Sequence, residues 1–335
     1  MGPDEKQSDA LDARVHKALE VYLERTDRGE SVDPDRFVAE YPEIADQLRS
    51  FILDSADLAR RAAADAVPSA EISTNQSLSD TIAPKSPGGL PVLPEIFGRY
   101  HLQRLLGRGA MGVVYLAKDT QLSRLVAIKI PSFTADQSTE VLQRFYLEAR
   151  AAATLRSPHI CPVYDVGEID GRHYISMAYI DGHSLSDVIK ANGPQPERQV
   201  LILIRKLALA LQDAHNQGVI HRDLKPGNVM LDTRGEPVVM DFGLACQIQE
   251  GSERITVSGV ILGSPAYMPP EQIEGISAKI TPSADQYAMG VILYELLTGE
   301  LPFRGSIPSV ISQIVIKPAP SPRLLRPDLD PRVDA

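Results

Sequence analysis

The chain has 335 residues, 43% of them hydrophobic, which is long enough for two or three domains with a sizeable core. Its formal net charge of −10 argues against general binding to nucleic acid or to an anionic membrane surface. Cys161 and Cys246 lack the spacing of a metal site or a disulfide framework, which fits a reducing cytoplasm. The acidic N-terminus does not resemble a signal peptide, and the apolar runs are too short to span a bilayer.

Residues 1–61 are predicted to form a small helical module. Apolar residues recur at helical spacing from Leu11 to Tyr22 and again from Ile44 to Ile52. The stretch between them offers capping residues and prolines that would end helices. The module contains 15 acidic and nine basic residues. Two interpretations remain open, a solvated amphipathic bundle and a docking or regulatory module.

Residues 62–95 are predicted to be a flexible linker. Pro, Ser, Ala and Gly dominate this stretch, and it contains no aromatic residue. Such a composition cannot bury enough apolar surface to offset the entropy lost on ordering.

Residues 96–335 contain strand signals first and helix signals later. The strand-like segments are RYHLQRLLG, GVVYLAKD, RLVAIKI, ICPVYDVGEID and RHYISMAYI, and the main helical ones are PERQVLILIRKLALALQDAHNQG and SADQYAMGVILYELLTG. This order predicts an α+β fold or two lobes with a cleft between them. The first of the two helices is apolar almost all round, so we expect it to be buried on most faces.

Three glycines form a G-x-G-x-x-G pattern between two of the predicted strands, namely Gly107, Gly109 and Gly112. Glycine lets the backbone approach phosphates closely and present its N–H groups. The pattern alone is weak evidence, because the turn of a β-hairpin would use the same residues. A dinucleotide-binding fold is excluded, since it requires a helix after the glycines and a strand follows here.

A lysine and a glutamate further along the chain could complete a phosphate site. Lys129 ends the hydrophobic strand LVAIKI, where a lysine is usually an edge or surface residue. It becomes functional if an acidic partner holds its ammonium toward phosphates. Glu148, in a predicted helix, is the candidate for that ion pair, although helix composition alone would make it a solvated charge.

The segment VIHRDLKPGNVMLD places several ionisable groups between aliphatic stretches, and a second acidic motif, MDFGLA, follows it. Mg²⁺ prefers hard oxygen ligands, which Asn228 and Asp241 supply. Asp223 is then available to orient and deprotonate an incoming hydroxyl, and Lys225 to neutralise charge on a transferred group. Positioning and electrostatics of this kind are what phosphoryl transfer requires.

From about Tyr100 the chain resembles the Hanks-type, or eukaryotic-like, protein kinases, and most closely their bacterial Ser/Thr branch. The shared motifs occur in the family's order: GRGAMGVV, VAIK, the helix glutamate, HRDLKPGN, DFG, PPE and SADQYAMG. The resemblance implies a bilobal fold with a β-rich N-lobe and a helical C-lobe. It also implies an ATP-dependent protein serine/threonine kinase that transfers the γ-phosphate of Mg-ATP, with Mn²⁺ as an alternative metal, to protein hydroxyls.

The resemblance also implies the roles of individual residues. Catalytic roles fall to Asp223, Lys225, Lys129 and Glu148, metal binding to Asn228 and Asp241, and structural roles to Arg222, Glu271 and Asp285. ATP binding falls to Leu106, Gly107, Arg108, Gly109, Ala110, Met111, Gly112, Val113, Val114, Ala127, Lys129, Met177, Ala178 and Ile180. Met177 resembles the gatekeeper, and Ala178 to Ile180 resemble the hinge that binds adenine through backbone groups.

The segment between Asp241 and Glu271 resembles an activation loop. Its hydroxyls at Ser252, Thr256 and Ser258 are candidate autophosphorylation sites. In the family, Arg222 meets such a phosphate, and the added charge orders the loop. The alternative, a polar loop with incidental hydroxyls, stays open.

The end of the chain departs from the family pattern. The family has further helices there and an arginine that pairs with Glu271, and neither can be found, so we expect the kinase domain to be incomplete. A buried Glu271 would then lack its partner. Part of the apolar surface of the second long helix would meet water, within the set Val291, Ile292, Tyr294, Leu296 and Leu297.

The expected partners are protein substrates with Ser or Thr, and not nucleic acid or, within this chain, a membrane. Dimerisation or docking through the kinase lobe or the N-terminal module is a further expectation, as is a cytoplasmic location. The alternative function is a non-catalytic, pseudokinase-like docking scaffold, at least for a truncated chain. All catalytic positions are intact, which argues against that alternative.

Overall fold

The computed structural model describes residues 14, 17–18, 21–22, 25, 32–45, 48–49, 93–109, 112–132, 139–242, 265–273 and 280–333. Within the first 49 residues, α1 (Pro34–Ala39) begins after Asp33, whose side chain accepts a hydrogen bond from the Arg36 backbone at 3.0 Å. Helical residues before and after α1 share a small core with it, made of Ala18, Tyr22, Phe37, Val38, Ile44 and Leu48. The boundaries at 61 and 95 remain predictions.

A six-stranded antiparallel sheet forms the first part of the kinase-like region, with strand order β1-β2-β3-β4-β6-β5. The strands are β1 (Glu95–Phe97), β2 (Tyr100–Gly109), β3 (Gly112–Asp119), β4 (Arg124–Pro131), β5 (Val163–Ile169) and β6 (Arg172–Ala178). Helix α2 (Thr139–Thr154) packs against this sheet because Phe145 and Ala149 join a cluster with Ala127, Ile175 and Met177.

Helices dominate the second part. They are α3 (Leu185–Asn192), α4 (Glu197–His215), α5 (Pro270–Ile273), α6 (Pro282–Thr298) and α7 (Ile307–Ile316). A three-stranded antiparallel sheet, β7 (Gly182–Ser184), β8 (Val229–Asp232) and β9 (Pro237–Val239), lies among them. The predicted α+β arrangement, a β-rich lobe followed by a helical lobe, is therefore confirmed. Of the helices that the structure describes, none is long and apolar enough to cross a membrane.

The two long helices, α4 and α6, pack against each other and share the largest core cluster. The expectation that α4 is buried on most faces is wrong, since Leu201, Ile202 and Leu209 are 40–49% exposed. Composition alone misleads here, because the apolar residues of α4 lie on the outer face as well as on the face toward α6.

Helix α6 is more deeply buried than the sequence predicted, whereas α4 is less buried. All five of its residues for which partial exposure was expected, Val291, Ile292, Tyr294, Leu296 and Leu297, are buried. Helix α4, the turn Pro265–Tyr267 and the turn Pro322–Leu324 all contact α6. Glu271 is partly exposed rather than buried, and its Oε1 lies 3.5 Å from the hydroxyl of Ser283. The expected cost of a buried, unpartnered Glu271 therefore does not arise.

Candidate active site

The catalytic loop connects α4 to β8 and brings three of the predicted residues together. Lys225 Nζ donates a 2.7 Å hydrogen bond to Asp223 Oδ2. Asn228 Nδ2 donates to the backbone oxygen of Asp223 at 2.8 Å and to Oδ2 at 3.1 Å. Because the amide nitrogen of Asn228 faces the carboxylate, its oxygen Oδ1 is the atom suited to a cation.

Buried polar groups hold the backbone of this loop. The buried carboxylate of Asp285 accepts hydrogen bonds from the backbone N–H groups of His221 and Arg222, both at 2.8 Å. Arg222 has φ = 67°, a left-handed conformation that costs a non-glycine residue of order 1–3 kcal/mol and persists only where the surrounding contacts offset that cost. Asp285 thus contacts the backbone of the residue that precedes Asp223, and its structural role remains a prediction from the sequence.

His221 links the loop to the segment after β9. Its Nε2 lies 2.8 Å from the carbonyl oxygen of Met240, and its Nδ1 accepts a 3.3 Å hydrogen bond from the Asp223 backbone. A carbonyl can only accept, so Nε2 carries the proton and Nδ1 is free to accept. This tautomer fixes the position of the Asp223 backbone relative to Met240 and, next to it, Asp241.

Lys129 and Glu148 do not form the ion pair that the sequence predicted, and that expectation is wrong for this structure. Lys129 Nζ lies 2.9 Å from Asp241 Oδ2, and Glu148 Oε1 lies 4.0 Å from Arg222 Nη1. Asp241 has φ = 56°, a left-handed backbone conformation. Two acidic residues compete for one ammonium, and their spacing along the chain does not decide between them.

The predicted glycine pattern forms a β-hairpin between β2 and β3, in which Gly107 pairs with Val114 and Gly109 with Gly112. Gly112 has φ = 132°, and a Cβ there would lie 2.2 Å from the Ile130 carbonyl oxygen, so only glycine fits. Beside Gly107 and Gly109, no atom of the described residues other than their chain neighbours lies within 4 Å of the place a Cβ would take. The hairpin thus leaves open space where phosphates could approach its backbone.

Six of the predicted ATP-binding residues share one apolar cluster. It contains Leu106, Val114, Ala127, Met177, Ala178 and Ile180. Ala127 on β4 pairs with Met177 on β6, and the Ala178 N–H donates to the Pro162 carbonyl at 2.9 Å. Cys161 lies in the same cluster, where burial raises the pKa of its thiol to about 12.

Several predicted residues lie outside the described part of the chain. These are Ala110 and Met111 of the glycine hairpin and the candidate phosphorylation sites Ser252, Thr256 and Ser258. The expected meeting of Arg222 with a phosphate therefore remains a prediction. Arg108 is exposed on β2, and Val113 is buried opposite it on β3.

Residues 100–325 match the family model of the protein kinase domain. The chain belongs to the protein kinase family. It is 42% identical over 210 residues to the serine/threonine-protein kinase PrkC of Bacillus subtilis, covering 63% of this chain and 32% of PrkC. It is 38% identical over 239 residues to PknE of Mycobacterium tuberculosis, covering 71% of this chain and 42% of PknE. The kinase chain thus spans less than half the length of these relatives.

Solved structures give the same family assignment. The crystal structure of the M. tuberculosis PknI kinase domain is 32% identical and superimposes with a TM-score of 0.59. The match covers 73% of this chain and 88% of that one. The bilobal kinase fold predicted from the sequence is thereby confirmed.

Two further contacts in this kinase domain involve residues that the sequence did not single out. His215 Nε2 lies 2.7 Å from Asp285 Oδ2. Tyr267 donates a 2.6 Å hydrogen bond to Glu295, which ties the turn at residues 265–267 to α6. Burial raises the pKa of both the Tyr267 hydroxyl and the Glu295 carboxyl. The sequence did offer one signal for His215, which is a histidine at the end of a predicted helix, six residues before His221.

Proposed function

We propose that this kinase domain transfers the γ-phosphate of ATP to Ser and Thr hydroxyls of proteins. The observation that carries the proposal is the Asp223 carboxylate, held by Lys225 at 2.7 Å and Asn228 at 3.1 Å. The similar bacterial proteins are named serine/threonine-protein kinases. These names support the aliphatic hydroxyls of Ser and Thr, and not the phenol of Tyr, as acceptors.

In the proposed reaction, Asp223 orients the substrate hydroxyl and accepts its proton. The hydroxyl oxygen forms a bond to the γ-phosphorus while the bond from that phosphorus to the β,γ-bridging oxygen breaks, and ADP leaves. The ammonium of Lys225, next to Asp223, offsets charge on the transferred group. Positioning by residues that are already hydrogen-bonded avoids reorganisation during the reaction.

The nucleotide would bind between the glycine hairpin and the apolar cluster around Met177. The oxygen atoms of Asn228 and Asp241 are the kind of ligand that Mg²⁺ or Mn²⁺ takes, so the site fits a divalent cation. When bound, the cation neutralises phosphate charge. We infer that Lys129, now 2.9 Å from Asp241, then contacts phosphate oxygens and takes Glu148 as its partner.

Regulation by autophosphorylation belongs to the same proposal. Arg222 precedes Asp223, and its guanidinium is only loosely paired with Glu148 at 4.0 Å, so it is able to exchange that partner for a phosphate. Peptide mapping after incubation with Mg-ATP should find phosphate on Thr256, Ser258 or Ser252. Full activity of a variant with all three replaced by Ala would contradict control through this loop.

Protein substrates are the partners that this activity requires. Dimerisation or docking through the kinase lobe or the N-terminal module, and a cytoplasmic location, remain predictions from the sequence. Cross-linking followed by mass spectrometry of the intact protein would identify which of the two surfaces is in contact with another chain.

The test of the proposal is transfer of labelled γ-phosphate to protein and peptide acceptors. Asp223→Asn should lower turnover roughly 10²- to 10⁴-fold, because that is the usual contribution of general-base catalysis. Asp213→Asn, at an exposed position of α4, serves as the control and should keep parent activity. Equal turnover in the Asp223 variant and the parent would refute the assignment. Nucleotide binding without transfer in the parent would support the scaffold alternative.

A further inference from the structure

His215 is a partly buried residue that joins two helices, and it is linked to the catalytic loop through Asp285. It is in the last turn of α4, and its Nε2 lies 2.7 Å from Oδ2 of Asp285 in the first turn of α6. The His215 side chain is 18% exposed and that of Asp285 1%. An ionised carboxylate only accepts hydrogen bonds, so His215 Nε2 is the donor in this pair.

Asp285 uses both carboxylate oxygens on the catalytic loop. Oδ1 accepts from Arg222 N, and Oδ2 accepts from His221 N, each at 2.8 Å. His215 therefore shares Oδ2 with His221. Burial by itself would raise the pKa of Asp285, but the hydrogen bond from His215 and the contacts with His221 and Arg222 lower it below its ordinary value. The carboxylate stays ionised and has one side-chain donor to set its orientation.

We propose that His215 is a positioning residue for phosphoryl transfer, acting through Asp285 on the backbone that precedes Asp223. The structure describes three hydrogen bonds to the Asp285 carboxylate, one from His215 and two from backbone N–H groups of the loop. Without His215, only the two bonds from the loop would be left of these to orient the carboxylate. The carboxylate could then rotate, and the left-handed conformation at Arg222 would lose part of its support. This inference rests on the proposed role of Asp223.

The expected result separates positioning from general stability. His215→Leu should lower kcat roughly 10- to 100-fold, since small misplacements of catalytic groups have effects of that size. The KM for ATP should stay within about twofold, because the residues described as hydrogen-bonded to Asp285 belong neither to the apolar cluster nor to the glycine hairpin. The Arg222 amide should also exchange its hydrogen faster, as its hydrogen bond opens more often.

Conservative variants keep the test decisive if His215→Leu does not fold. The amide nitrogen of Gln reaches about as far as Nε2 of His, and that of Asn falls short. His215→Gln should therefore keep activity within about threefold of the parent, whereas His215→Asn should resemble the Leu variant. His101→Leu, at an exposed position of β2, is the control for removing a histidine and should have parent activity.

The intact protein should be assayed with ATP and a Ser/Thr peptide, with Asp223→Asn in parallel. Loss of activity in Asp223→Asn with unchanged kcat in His215→Leu would overturn the inference and leave the proposed function standing. Equal activities of the Gln and Asn variants, or a raised KM for ATP at constant kcat, would also overturn it. Full activity of Asp223→Asn would instead refute the proposed function.

Discussion

The catalytic loop and the region around Lys129 hold their charged groups in different ways. In the loop, Asp223, His221 and Arg222 are joined to Asn228, Met240 and Asp285 by hydrogen bonds of 2.8–3.3 Å, several of them to backbone atoms. Around Lys129, the charged side chains come from β4, α2 and the segment after β9. The contacts described for them are ion pairs, between Lys129 and Asp241 at 2.9 Å and between Glu148 and Arg222 of the loop at 4.0 Å. The loop geometry is fixed by the fold, whereas ion pairs between separate elements can be exchanged.

This difference assigns separate tasks to the two regions. Backbone hydrogen bonds to a buried carboxylate resist rearrangement, because each broken bond leaves a buried group without a partner. Arg222 and Glu148 are both partly exposed, and an ion pair between such side chains contributes little to stability and can change partners at low cost. Lys129 is buried, so it leaves Asp241 only when another negative group takes the place of that carboxylate. We therefore expect the catalytic loop to be ready before substrates bind and the Lys129 region to rearrange on binding.

The largest effect should follow from breaking the anchor of the loop. Asp285→Ala leaves His215 and two backbone N–H groups without their buried acceptor, which should destabilise the protein by about 3–5 kcal/mol. Urea unfolding would measure the loss, with Asp213→Ala at an exposed position of α4 as the control. A loss no larger than that of the control would show that the loop does not depend on Asp285.

The difference in stability between the parent and Asp285→Ala should depend on pH in a direction that follows from the pKa of Asp285. The net shift holds the folded-state pKa of Asp285 below its ordinary value of 3.8, despite its burial. Its contribution is therefore complete above pH 3.8 and is lost as the pH falls through the lower folded-state pKa. The stability difference between the parent and Asp285→Ala should narrow in acid. A difference that widens below pH 3.8 would contradict the direction of the shift.

A smaller effect should follow from removing Lys129. With nucleotide at about 100 times its dissociation constant, the parent should gain about 2.7 kcal/mol of stability, and Lys129→Met should lose most of that gain. Thermal melts with and without Mg-ATP would measure it. Lys118→Met, at an exposed position of β3, is the matched control and should respond to nucleotide as the parent does. A full response in Lys129→Met would remove the lysine from the nucleotide site.

The smallest effect concerns the long pair between Arg222 and Glu148. At 4.0 Å, this pair should show a coupling below about 1 kcal/mol in a double-mutant cycle on unfolding. The variants Arg222→Gln and Glu148→Gln, alone and combined, provide the cycle. A coupling of several kcal/mol would mean that this pair is as fixed as the catalytic loop, and the contrast between the two regions would fail.

The sequence predicted the fold, and which residues of the catalytic loop come together, better than it predicted which charged side chains form ion pairs. The order of the motifs was enough to bring Asp223, Lys225 and Asn228 together, because these residues lie close along one loop. The partner of Lys129 depends on the backbone conformation at Asp241, which spacing does not encode. His215 was missed because its role depends on the packing of α4 against α6.

The sequence also did not predict which faces of the two long helices are buried. Helix α4 carries leucines and isoleucines on most sides, yet three of them, Leu201, Ile202 and Leu209, face outward. Helix α6 was expected to leave apolar residues exposed and instead buries them. Which face of an apolar helix is covered depends on neighbours that are distant in the chain, such as residues 322–324 against α6.

Hydrogen exchange of backbone amides, with and without Mg-ADP, tests most directly whether the catalytic loop is built before substrates bind. The amides of His221 and Arg222, which donate to Asp285, should be protected to the same degree in both states. Changes on binding should concentrate in β4 and α2, around Lys129 and Glu148. Protection of His221 and Arg222 that arises only with nucleotide would contradict the account.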